Sequence, residues 1–121
     1  MSPAVGPYSP VRRAGDWVIT SGQVGLAPGG EPPALAEGGT VGQLRQALAN
    51  LTDVLAAEGA TLADVVKTAL FLVDMSEFAA VNEVWIEVFA EPRPTRSAVA
   101  VVALPVGARV EVEAWAYVPA R

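Results

Sequence analysis

Residues 94–117 read PTRSAVAVVALPVGARVEVEAWAY, where a cation, Arg96, precedes one apolar run and a carboxylate, Glu111, interrupts another. In VEVEAWAY (residues 110–117) the alternation is strict. Val110, Val112, Ala114 and Ala116 fall on one face of a strand, with Glu111, Glu113, Trp115 and Tyr117 on the other. Such a small apolar face suits packing against helices. SAVAVVAL (97–104) is apolar on both sides, and so is much of VVKTALFLV (65–73). Two strands are therefore expected, Ser97–Leu104 and Arg109–Tyr117, joined by PVGA. If they pair as a hairpin, Glu111 lies opposite about Val102, roughly six residues or ~20 Å along the sheet from Arg96.

Working outward, SPVRRAGDWVITSG (9–22) reads as a hairpin turning at Gly15-Asp16, with Trp17–Thr20 in its second strand. LAPGGEPPALAEGG (26–39) is a loop by its Gly and Pro content. Thr40 then stands as the cap of a helix, with Gln43 in the capping-box position. Leu44, Ala47, Leu48, Leu51, Val54 and Leu55 make one apolar stripe, and Gly59 ends the helix. DVVKTALFLVD (64–74) is a strand. Ser76 is placed to cap a second helix whose buried face is Phe78, Val81, Trp85, Val88 and Phe89, and EPRP (91–94) stops it. No repeat or linker divides residues 1–121. The expectation is a single α+β domain of order β-β-α-β-α-β-β with helices on one face of the sheet. Two helices cover only one face of so apolar a sheet, and a symmetric neighbour is the simplest cover for the other.

Composition narrows the chemistry. The chain has 121 residues, 52% hydrophobic and 17% charged, enough for one real core and apolar enough to hint at self-association. There is no Cys and no His. Disulfides, thiolate nucleophiles, the usual zinc sites and imidazole bases are thereby excluded. Acid–base work at neutral pH falls to a carboxylate, a Tyr, the single Lys67 or ordered water. A net charge of −5, with eight scattered cations, argues against nucleic acid as the main partner. No apolar run approaches the roughly 18 residues of a membrane span. MSPAVGPYSP lacks the basic and apolar regions of a signal peptide, so the cytoplasm is the expected compartment. From the residues alone, Arg96 also reads as a solvated loop arginine. Glu111 beside Glu113 reads equally as an exposed pair on an edge strand.

The stretches GPYSP (6–10), GDWVITSGQV (15–24), DVVKTALFLVDMSEFAAVNEVW (64–85), PTRSAV (94–99) and VEVEA (110–114) resemble the reactive-intermediate deaminases of the RidA/YjgF family. The resemblance covers essentially the whole chain. It implies a chorismate-mutase-like fold, a homotrimer with ligand clefts between subunits, and no cofactor or metal. The implied activity is hydrolysis of enamine and imine intermediates, such as 2-aminoacrylate, to 2-oxo acids and ammonia. Carried over residue by residue, the resemblance makes Arg96 the holder of the substrate carboxylate and Glu111 the residue of the catalytic water. Tyr8 and Ser21 become polar residues of the cleft, Gly22 a backbone contact, and Asn82 a neighbour of the site. Ala98 stands where many deaminases carry Cys, and Trp85 where Tyr is frequent, so the substrate range can differ. Two other functions are compatible with the chain: a regulatory protein that binds a small carboxylate without turnover and, more distantly, RNA cleavage or translation inhibition.

Overall fold

The computed structural model describes residues 6–119. The stretch MSPAVGPYSP, read above as lacking the regions of a signal peptide, therefore lies partly outside the described residues. Eight main elements follow one another: β1 (Val11–Ala14), β2 (Trp17–Thr20), β3 (Gln23–Val24), α1 (Gly39–Ala56), β4 (Val65–Leu72), α2 (Phe78–Val88), β5 (Thr95–Ala100) and β6 (Val110–Tyr117). The strands form one six-stranded sheet of order β1-β2-β6-β4-β5, with β3 pairing β6 beside this path. The β1–β2 hairpin turns through Gly15, whose φ of 59° is one that a side chain disfavours. β3 was not anticipated, because two residues carry no readable alternation. Among the described residues no helix is long and apolar enough to cross a membrane.

The hairpin expected between the last two strands does not exist. β4 lies between them, parallel to β5 and antiparallel to β6. α2 supplies the crossover that a parallel pair requires. The physical reason lies in β4 itself: Leu70 and Leu72 have no exposure, and only an interior strand hides them so completely. β5 starts at Thr95 and ends at Ala100, earlier at both ends than the apolar run suggested. Beyond it the chain leaves the sheet; Val102 is fully exposed, and Val106 adopts a φ of 55° in the turn that leads to β6.

One face of the sheet carries the core. Val18, Thr68, Leu70, Leu72, Val110, Val112, Ala114 and Ala116 are buried there. The expected α1 stripe is buried with them, and α2 adds Val81, Val84 and Trp85, with Phe89 just past its end. At about 1.5–3 kcal/mol for each large apolar side chain, this layer is the main stabilising element of the chain. Among the described residues no helix covers the opposite face. It presents Ile19, Phe71, Glu111 and Glu113, the exposed Val99, and an edge-to-face cluster in which Trp17 lies 6.1 Å from Trp115 and 5.1 Å from Tyr117.

Two helix caps differ from expectation. Gly38, not Thr40, precedes α1, and no side chain caps it. Thr40 and Gln43 are buried and serve Arg109 instead. Arg109 Nε donates to Thr40 Oγ1, and its backbone N–H donates to Gln43 Oε1, both at 2.8 Å. Ser76 does not cap α2 either. Asp74 accepts from Ser76 N–H at 3.0 Å and opens the 3-10 turn Met75–Glu77 that leads into the helix. Tertiary partners override the local capping pattern because Arg109 also pairs with Glu77 and lies 3.9 Å from Asp74, tying the start of β6 to both helix entries. Asn50 performs a similar task for the segment leading out of β2. Its Nδ2 donates to the carbonyls of Val24 and Leu26 at 3.1 and 2.9 Å. A methyl at Gly25 would stand 2.3 Å from the Gln43 carbonyl, so only glycine lets this segment lie so close to α1.

Hydrogen bonds from Thr40 and then Arg109 hold the Glu77 carboxyl below its ordinary value of 4.5. A lowered folded-state value means that this contribution is present above pH 4.5 and fades as pH falls through and below it. Glu77→Gln is therefore expected to melt at a lower temperature than the parent at neutral pH, with the gap narrowing in acid. Thermal melts across that range check it.

Candidate active site

Arg96 occupies the edge strand β5, level with Thr68 of β4, and so lies on the helix-covered side. It is half-buried, not a solvated loop residue. Three side chains of α2 surround its guanidinium. Nη2 donates to Asn82 Oδ1 at 2.9 Å, and Cζ lies 5.0 Å from the Trp85 ring centroid and 5.2 Å from that of Phe78. Among the described residues no carboxylate pairs with it; the ion pairs belong to Arg13, Arg45, Arg93 and Arg109. Burial shifts its pKa downward. A partly desolvated cation without a counterion is a site for an anion, and the planar fork suits a carboxylate. Ala98, two residues on, is partly buried against the main core on the same side. Thr68 Oγ1 donates to the Thr95 carbonyl at 2.8 Å and pins the start of the strand.

Glu111 lies on the other side of the sheet, level with Phe71 of β4. β6 is an interior strand, so the edge-strand reading of Glu111 and Glu113 does not hold. The Glu111 carboxyl is half-buried, and its pKa is raised, first by burial and then by the nearby Glu113. Gly22 makes room for it: a methyl there would stand 2.6 Å from Cδ and 2.7 Å from Oε1 of Glu111. Next to Gly22, Ser21 donates its hydroxyl to the Ser9 carbonyl at 2.6 Å and its N–H to the Pro10 carbonyl at 2.9 Å. Ser9, Arg12, Arg13, Ile19 and Ser21 help line an open groove of about 530 Å³ along the β1–β2 edge of the sheet, which neither Gly22 nor Glu111 lines. Tyr8 is 45% exposed, in a turn closed by its N–H on the Gly6 carbonyl at 2.9 Å.

Two half-sites result. Arg96, Asn82 and Ala98 belong to the helix side at the sheet edge; Glu111 and Gly22 belong to the open side, next to Ser21. Along β4 the levels of Arg96 and Glu111, Thr68 and Phe71, are separated by about 10 Å, and two strand spacings add about 10 Å sideways. This replaces the separation expected from a hairpin. More decisively, the two side chains leave opposite faces, and a single chain does not bring them together.

The fold matches that of known proteins. The Endoribonuclease L-PSP family matches residues 1–118. The chain belongs to that family, the RidA/YjgF proteins. The mouse protein named 2-iminobutanoate/2-iminopropanoate deaminase is 44% identical over 113 residues, 93% of this chain and 82% of that protein. The crystal structure of RidA from an Antarctic Psychrobacter superposes with a TM-score of 0.90 at 42% identity, covering 96% of this chain and 92% of that one. A Thermotoga maritima protein described as a putative endoribonuclease superposes with a TM-score of 0.88 at 38% identity, covering 97% of this chain and 91% of that one. Family members thus carry both deaminase and endoribonuclease names. The apolar pattern assigned Phe78 and Trp85 to the core, and only the family resemblance placed Trp85 near the pocket as well. The signal for their second role was their spacing around Asn82: residues 78, 82 and 85 share one helix face.

Glu111 is expected to titrate above 4.5, the ordinary value for a glutamate. Glu113→Gln removes the neighbouring negative charge and is expected to bring the midpoint only part of the way down, because burial is the larger cause. Carboxyl-carbon NMR titration of both proteins measures this.

Proposed function

We propose that the protein hydrolyses 2-imino acids and their enamine tautomers, such as 2-aminoacrylate, to 2-oxo acids and ammonia. The observation that carries this reading is the Arg96 guanidinium, half-buried, faced by two rings and an amide, and lacking a carboxylate partner among the described residues. The deaminase name of the mouse relative supports the same chemistry. In this reading Arg96 binds the substrate carboxylate in bidentate fashion and fixes C2 by position. An enamine first gains a proton at C3 to become the iminium, the form that reacts. Glu111 takes a proton from a water as the water oxygen attacks C2 of the iminium, giving a neutral carbinolamine. Glu111 returns that proton to the amine, the C–N bond breaks, ammonia leaves, and the hydroxyl on C2 loses its proton to become the 2-oxo group. A carboxyl with a raised pKa is suited to both accepting and returning the proton. An imine carbon is already electrophilic, so the reaction requires neither metal nor cofactor. Ser21 Oγ, its proton committed to Ser9, offers lone pairs to the water, and Tyr8 offers a hydroxyl to the departing amine. The Gly22 and Ala98 backbones line the two half-sites.

The opposed directions of Arg96 and Glu111 support a cleft completed by a second copy of the chain. The uncovered sheet face, with Val99, Trp115 and Tyr117 exposed, offers the surface for association. The number of copies, three, comes from the family resemblance. RNA cleavage is less well supported: a net charge of −5 gives poor attraction for a polyanion.

Release of ammonia and 2-oxo acid from freshly generated 2-aminoacrylate is the direct test. Binding of 2-oxo acid with no release would identify a sensor in place of an enzyme. Arg96→Ala is expected to lower kcat/KM by about 100-fold or more, with Arg96→Lys restoring only part, since an ammonium lacks the fork. Unchanged activity in the alanine variant would place the carboxylate elsewhere. Glu111→Gln is expected to reduce kcat by about 10²–10⁴-fold with little loss of ligand affinity.

The two inactive variants, mixed, unfolded and refolded together, are expected to regain part of the activity, because some clefts then receive both native residues. Absence of rescue in assemblies shown to be mixed would rule out the shared cleft.

A further inference from the structure

We infer that Phe78, Asn82 and Trp85 form a positioning cradle that holds the Arg96 guanidinium in place while leaving its charge uncancelled. The inference rests on the assignment of Arg96 to the substrate carboxylate and adds what makes that arginine available. An arginine on an edge strand has several free torsions, and a binding role needs its fork fixed before ligand arrives. Among the described residues, Arg13 is ordered by donating to the carbonyls of Gly15, Glu58 and Val118, with the Glu58 carboxylate at 4.0 Å. Arg109 is held by the carboxylates of Glu77 and Asp74, Arg45 by Glu87 and Arg93 by Glu91. Each of those carboxylates also offsets the cation's charge.

Arg96 is held by different chemistry. Phe78 and Trp85 meet it through their ring quadrupoles at 5.2 and 5.0 Å, attracting the cation without occupying an N–H donor. Asn82 takes one Nη2 proton at 2.9 Å through a neutral amide oxygen. The remaining donors have no partner within the chain among the described contacts. Trp85 is itself fixed: it is 5% exposed, and its ring packs 4.7 Å from that of Phe89. Trp85 therefore gives the cradle one fixed wall beside the cation. Asn at position 82 is the decisive choice, because Asp has the same shape. An aspartate there would turn Arg96 into another internal ion pair, and an incoming carboxylate would meet a cancelled charge and a like-charged neighbour.

Pyruvate serves as a probe carboxylate. Its affinity for the wild-type protein and for Asn82→Asp, Phe78→Leu, Phe78→Tyr and Arg96→Ala is measured by calorimetry, beside melting temperatures and the KM and kcat for 2-aminoacrylate. Asn82→Asp is expected to bind pyruvate about tenfold or more weakly and to show a raised KM, while melting no lower than the parent. Phe78→Leu is expected to weaken binding severalfold and Phe78→Tyr to restore it. A purely structural role would lower the melting temperature and leave affinity and KM of the folded protein unchanged. If Arg96→Ala loses pyruvate but Asn82→Asp and Phe78→Leu bind it as the parent does, the cradle is overturned and the carboxylate anchor stands. If wild-type protein fails to bind pyruvate, or Arg96→Ala binds it normally, the anchor fails and the cradle with it. Should Asn82→Asp not fold, the Phe78 pair decides. Loss with leucine and recovery with tyrosine support the cradle; equal binding by both refutes it.

Discussion

The burial of β4 in the interior of the sheet governs the other features of the structure. With Leu70 and Leu72 wholly enclosed, β4 must have a strand on each side and helices over one face. β5 arrives on one side through the α2 crossover, and β6 on the other after the chain loops back. The alternation of side chains along each strand then places the candidate site residues. Arg96 shares the face of Thr68 and looks under α2, whereas Glu111 shares the face of Phe71 and looks away from the helices. A shift of one residue in either pairing would exchange the faces. The apolar side chains of β4 thus hold the candidate site residues in register.

Within that frame the chain treats its buried and half-buried charges in two ways. Arg109 is satisfied many times over, by Glu77, Asp74, Thr40 and the Gln43 contact to its backbone, and it joins β6 to the entries of both helices. Such a cluster contributes to cohesion, and two carboxylates already answer the charge of the arginine. Arg96 and Glu111 are the opposite case. One has an amide and two rings in place of a counterion, and the other has a like-charged neighbour and partial burial. Both are less stable as ions than they would be in water, and each gains when a complementary group arrives. Their separation by the sheet explains how one small chain carries both without their cancelling each other. The face away from the helices, with its cluster of Trp17, Trp115 and Tyr117, offers the surface for the association proposed above.

Much of the fold was legible in local pattern. The alternation in VEVEAWAY assigned every residue of β6 to its correct face, and the stripe from Leu44 to Leu55 lies in the core as read. Periods of two and 3.6 are properties of a single element, set by backbone geometry, so the sequence alone determines them. The absence of His and Cys likewise restricted the chemistry before any coordinate was known. Strand order was not legible. SAVAVVAL and VEVEAWAY are adjacent in sequence and suit a hairpin, yet β4 separates them, because pairing depends on which arrangement buries Leu70 and Leu72, a comparison between distant segments. Thr40 and Gln43 carried a valid capping pattern that Arg109, distant in sequence, overrode. Arg96 looked like a loop cation until α2 was packed against it, and only then did Phe78, Asn82 and Trp85 become its partners. Local periodicity is written in neighbouring residues. Register, burial and the company a charge keeps arise only when distant segments compete for the same interior, and that competition was decided by the tertiary structure.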